Sequence, residues 1–108
     1  MLVTSANSIQ GAEAKRLGQV NGEYIIEEKI YKAILTEMAK YEEIRTEAYQ
    51  AELEKARQTV MDQMTKKAEA LGANAILGIN IWHEIIGYGK LMMIAGKGVA
   101  AFIEGEDL

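Results

Sequence analysis

The chain has no cysteine and no proline, and only one histidine, one tryptophan and one phenylalanine among 108 residues. Without thiols it can build neither a disulfide framework nor a thiolate metal centre, an absence that fits a reducing cytoplasm. Without proline, its turns and close backbone approaches fall to ten glycines. A basic surplus is missing as well. The formal net charge is -4, which argues against a nucleic-acid polymer as partner but leaves room for a local basic pocket that holds a small anion. The longest apolar stretch, Leu91 to Ile103, is interrupted by Gly96-Lys97-Gly98 and is too short to span a bilayer. Met1–Ser5 carries neither the basic start nor the apolar core of a signal peptide. A cytoplasmic chain with no membrane partner is expected.

With 49% apolar residues, the chain has enough to fold as one domain, 1–108, with 105–108 as a solvated tail. Leu2-Val3-Thr4 reads as a short strand, and Arg16 to Ile26 as an extended segment with Gly18 and Gly22 as bends or bulges. From Lys29 the period becomes helical: Ile30, Ile34, Met38 and Tyr41 form a stripe that Tyr31 and Leu35 widen. A second stripe runs through Tyr49, Leu53, Ala56, Val60, Met64 and Leu71, closed by Gly72. A kink or short break is expected at 42–46. After Gly72 the period drops to two, placing Leu77, Ile79, Ile81, His83 and Ile85 on one strand face and Gly78, Asn80, Trp82 and Glu84 on the other. Gly87-Tyr88-Gly89 makes a turn into a last strand that is apolar on both faces except at Lys97. The Gly96-Lys97-Gly98 triplet reads as a bulge at a subunit contact. The class is α+β: a small antiparallel or mixed sheet packed with one long helix and a shorter helix before it.

Lengths suggest self-association. A helix from Glu47 to Leu71 measures about 37 Å at 1.5 Å per residue, whereas a domain of this size has a radius of gyration of only about 13 Å. Part of the long stripe and one face of the last strand are therefore expected to be covered by a neighbouring copy.

The run Leu71-Gly72-Ala73-Asn74-Ala75-Ile76-Leu77-Gly78-Ile79, after a helix bearing Tyr49, Glu52-Leu53 and Ala56-Arg57, resembles the YbjQ-like family of small bacterial proteins that carry a heavy-metal-binding label. The opening Leu2–Ile9, a Val20-Asn21-Gly22-Glu23 turn and the Gly89–Met92 start of the last strand match as well. The resemblance implies a dodecin-like subunit in a ring-shaped homo-oligomer, with a pentamer favoured. Two places depart from the family. Its Gly-Gly-Arg-Ser-type break is replaced by Glu43-Ile44-Arg45-Thr46, and its acidic residues after Gly78 give way to Asn80, Trp82 and His83.

Few residues carry chemistry. Asn80 and Trp82 share a strand face, and a flat indole beside an amide suits a planar polar ligand; burial at a subunit interface is the other reading. Arg45, Tyr49 and Arg57 follow one another along the helical region, where two guanidinium forks near a phenol can hold a phosphate or carboxylate or pair with nearby glutamates. Asn7 and Ser8 cap a turn or line a pocket. As metal ligands only His83 and Glu84 offer themselves, on opposite faces of one strand, so a ring is needed to gather enough copies. No nucleophile stands near a base. The expectation is a non-catalytic homo-oligomer, without a cofactor, that binds or sequesters a planar, anionic, nucleotide-like small molecule at subunit boundaries. Heavy-metal or metalloid binding is the alternative, and a structural or adaptor ring for another protein the second alternative.

Overall fold

The computed structural model describes residues 1–104, so the expected tail at 105–108 lies outside the described residues. The chain runs β1 (Leu2–Val3), β2 (Ala14–Glu27), α1 (Glu28–Tyr41), α2 (Glu47–Ala70), β3 (Ala75–Ile86) and β4 (Leu91–Ile103). It is an α+β fold with a four-stranded mixed sheet in the order β1-β3-β4-β2. β1 pairs parallel with β3, while β3 with β4 and β2 with β4 are antiparallel.

α2 lies along one face of this sheet. Ala56, Val60, Met64 and Ala68, spaced four apart, are fully buried there against Val20, Ile76, Ile94 and Ala100. Small residues in the strands make the seat. Gly22 and Gly96 face each other across β2 and β4, and a Cβ at either would come within 2.7 Å of Val60. Gly22 is thus neither a bend nor part of a turn: Val20–Glu23 lies within regular pairing, and glycine is needed because the helix passes so close. The 96–98 triplet is likewise regular against β2, so it is a helix seat and not a bulge. The β2 irregularity falls where Gly18 was read, between Arg16 and Gly18.

A bulge in β3 changes the face assignment. The β3–β4 register shifts between Leu77 and Asn80, where Gly78 takes φ +60°. Leu77 pairs with Val99 and joins a second cluster with Ala75, Ala101 and Ile103, covered by Leu2, Ile9 and Ala12 on the far side of the sheet. Beyond the bulge, Ile81 and His83 pair with Gly96 and Ile94 and face the helices. Leu77 therefore does not share a face with Ile79, Ile81, His83 and Ile85; one extra residue turned the strand over.

Local chemistry explains the ends of the elements. Gly72 (φ +84°) stops α2, with the Gly72 and Ala73 N–H groups donating to the Glu69 and Ala68 carbonyls. The Asn74 side chain then behaves like a strand neighbour to Ile103, donating to its carbonyl and accepting from its N–H, both at 2.8 Å. α1 ends at Glu42, which is left-handed (φ +60°), and α2 restarts at Glu47, so the break expected at 42–46 is present. On the outer edge of β2, Glu23 N–H donates to Gln63 Oε1 at 2.9 Å and the Lys67 ammonium donates to the Asn21 carbonyl at 2.8 Å.

The described residues are elongated, 49 × 26 × 18 Å, with a radius of gyration of 16.4 Å. A 14-residue β2 reaches about 46 Å, and α2 about 36 Å, so the sheet is long enough to carry the helix. The supposed overhang of α2 assumed a rounder molecule. Part of the open apolar surface lies on α1, where Tyr31 and Ile34 are buried while Leu35 is 45% and Met38 43% exposed.

Candidate functional site

Trp82 borders two clefts on opposite sides of the sheet. The outer cleft, about 560 Å³, lies over β2 and β4 and is lined by Trp82, Lys97, Asn21, Glu23 and Lys67 among others. Its polar groups largely satisfy one another. The Trp82 indole N–H donates to Glu84 Oε1 at 2.8 Å, and the Lys67 ammonium is held by both oxygens of Asn21. Lys97 sits over the indole, 5.9 Å from its centroid.

The second cleft is a groove of about 520 Å³ between α1, α2 and the free end of the β3–β4 hairpin. Its walls are apolar: Leu35 and Met38 from α1, Leu53 from α2, and Ile81, Met92 and Ile94 from the sheet. Arg57, His83 and Trp82 are the residues on its lining that offer more than aliphatic or thioether surface. Arg57 is exposed and makes no ion pair within 4 Å among the described residues. A mostly apolar concavity with a few convergent polar groups is the usual form of a small-molecule site.

Two of the residues singled out by sequence thus face one groove, Arg57 and His83, and Trp82 borders it with its indole bonded to Glu84 on the outer face. The others do not join them. Arg45 lies in the α1–α2 connection, where its guanidinium contacts Glu43 at 3.2 Å and stacks 4.2 Å from the Tyr41 ring centroid, so the fork expected from Arg45, Tyr49 and Arg57 does not form. Tyr49 is half-buried on α2 and lines neither cleft. Asn80 is exposed opposite Lys97 on the outer face, outside both linings. Asn7 and Ser8 lie in the loop after β1, where the Ala6 carbonyl accepts from Gly78 N–H and the Asn7 carbonyl from Arg16. Glu84 accepts from Trp82 on the outer face, while His83 faces the groove, so the two cannot close on one ion within a single chain.

No three His, Cys, Asp or Glu side chains gather among the described residues, a poor donor set for zinc or another borderline divalent ion. Soft donors are placed differently, since the thioethers of Met38 and Met92 line the same groove as His83. Sequence periodicity shows both methionines as apolar positions and carries no sign that they meet a histidine. No helix among the described residues is long and apolar enough to cross a membrane.

Comparison with known proteins agrees with this fold. The family model described as "Putative heavy-metal-binding" matches residues 1–104. A UPF0145 protein of Carboxydothermus hydrogenoformans is 36% identical over 107 residues, covering 98% of this chain and 99% of that one. Another, from Clostridium kluyveri, is 33% identical over 106 residues, covering 96% and 100%. A solved structure from Pediococcus pentosaceus, of the DUF74 family and of unknown function, superposes with a TM-score of 0.66 at 17% identity over 96% of this chain and 98% of that one; it speaks to the fold alone. With the family model spanning the whole described chain, this protein belongs to the YbjQ-like, UPF0145 family.

Proposed function

We propose that this chain is a non-catalytic, self-associating cytoplasmic protein that binds or sequesters a small planar anion in the groove between α1, α2 and the β3–β4 hairpin. The observation that carries this reading is the convergence of Arg57 and His83 on one apolar groove that Trp82 borders, with Arg57 unpaired among the described residues. The apolar walls take an aromatic body by burial, and Arg57 offers a planar fork to a carboxylate or phosphate. Self-association rests on the exposed Leu35, Met38 and Tyr41 of α1, and a pentameric ring on the family resemblance. Trp82 is the only tryptophan and borders the groove, so its emission serves as the probe. Titration with 8-anilinonaphthalene-1-sulfonate, indole-3-acetate and AMP should quench or shift that emission. Arg57→Ala should weaken anions by about 10- to 150-fold, the equivalent of a charge-assisted bond of roughly 1.5–3 kcal/mol, while a neutral analogue is spared. If no planar anion changes the emission or the melting temperature, the reading fails.

A metal is the second reading, favoured by the soft donors Met38, Met92 and His83 on the same groove. Such donors select monovalent copper or silver over zinc. Native mass spectrometry with silver(I) should then show one ion per chain, lost in Met92→Leu and kept in Met93→Leu, since Met93 lines the outer cleft instead. Silver retained equally by both variants would sink it.

A further inference from the structure

The groove has one side built on the core and one built on α1. Met92 and Ile94 of its sheet floor are buried and Leu53 of α2 packs against the core, whereas α1 contributes the buried Ile34 and the exposed Leu35 and Met38. α1 is anchored at its start, where the buried Tyr31 donates its hydroxyl to the Gly89 carbonyl in the β3–β4 turn. At its other end the chain turns through 42–46, and Ile44 in this connection also lines the groove.

Glu37 bridges that corner. Its Oε1 accepts from the backbone N–H of Arg45 at 2.8 Å and of Thr46 at 2.7 Å, and its Oε2 accepts from the Thr46 hydroxyl. Thr46 is the N-cap of α2 but makes no side-chain cap bond to that helix. The hydroxyl is turned to Glu37, and a carboxylate thus lies at the positive end of the long helix. Among the described residues, every side-chain hydrogen bond from α1 to the connection or to α2 runs through Glu37. The charged groups around it are otherwise engaged or solvated: Arg45 is on Glu43 and on the Tyr41 ring, Lys40 is also near that ring, and Glu42 and Glu47 are exposed.

We infer that Glu37 is a positioning residue: it latches α1 to the start of α2 and so sets the opening of the groove, with α1 acting as a flap over whatever lies beneath. The inference rests on the groove as the ligand site, but the latch can be measured without a ligand.

Because the chain has no cysteine, spin labels can be placed at Ala39→Cys on α1 and Glu54→Cys on α2, both exposed. The labelled protein is diluted with unlabelled chain so that only distances within one copy are read. Pulsed electron paramagnetic resonance at pH 7 should give a narrow distribution that broadens in Glu37→Ala and, less, in Glu37→Gln. A control pair at Lys15→Cys and Asp62→Cys, on β2 and α2, should stay fixed throughout, separating flap motion from unfolding. If the flap is closed in only a fifth of Glu37→Ala molecules, the dissociation constant for 8-anilinonaphthalene-1-sulfonate rises about 5-fold. A distribution in Glu37→Ala as narrow as the parent's overturns the latch, whatever binds. A broadened one, with no planar anion bound even by the parent, upholds the latch and overturns the groove as an anion site.

Discussion

The two helices carry similar apolar stripes and are held in different ways. α2 buries Ala56, Val60, Met64 and Ala68 completely, over strands whose Gly22 and Gly96 let it approach closely, and Gln63 and Lys67 tie it to the backbone of β2. α1 buries Tyr31 and Ile34 and leaves Leu35, Met38 and Tyr41 substantially open. Whether a stripe is covered depends on what faces it. Beneath α2 the sheet offers small residues in register, while beneath the second half of α1 it offers a groove. One helix is scaffold and the other is a wall.

The sharpest way to break this comparison is to remove the same atoms from each helix. Met64→Ala should cost about 2–5 kcal/mol in denaturant unfolding, as a fully buried methionine leaves a cavity. Met38→Ala should stay within about 0.5 kcal/mol. Equal losses would mean that α1 is as deeply packed as α2, through contacts a single chain does not make. A smaller effect is expected at the anchor. Tyr31→Phe gives up the bond to Gly89, worth about 0.5–1.5 kcal/mol, and hydrogen exchange should quicken in α1 and the β3–β4 turn but not in α2. Uniform quickening would show that the two helices open together.

The smallest effect concerns a polar tie of α2. The Tyr24 hydroxyl donates to Glu52 Oε1 at 2.7 Å, and that bond, with partial burial and the carboxylate charge, raises the phenol above its ordinary 10.0. The protonated phenol is the form the fold favours. Its contribution is therefore complete below pH 10.0 and is lost as pH rises through the raised value. In an ultraviolet titration a phenol that ionises above pH 10.0 should be lost in Tyr24→Phe. An unchanged curve would remove the tie.

Periodicity made the elements legible, because a stripe at three and four residues or an alternation at two is local. The α1–α2 break and the Gly72 stop were legible for the same reason. Three features were not. Gly78 begins a bulge that moves Leu77 off the face of Ile81, and nothing in the alternating pattern marks where the extra residue falls. Gly22 and Gly96 are distant in sequence and meaningful only together, under Val60. The groove gathers Met38, Arg57 and His83 from three elements, so Arg57 could be suspected of holding an anion but not of doing so beside His83. The expected overhang of α2 fails on shape, because a mean radius for a compact domain does not describe a sheet with strands of 12–14 residues.

The side chains over the rim of β2 bear on how copies of this chain can meet during folding. An exposed strand margin is a template on which a newly made chain can add its own strand, and repeated addition gives fibres. Here Gln63 occupies the Glu23 donor and Lys67 the Asn21 acceptor, so an incoming strand must first displace two partners, one of them charged. Crowded newly synthesised copies are thus steered away from end-to-end growth along that margin, and a concentrated preparation should stay free of thioflavin-positive material until α2 itself is loosened.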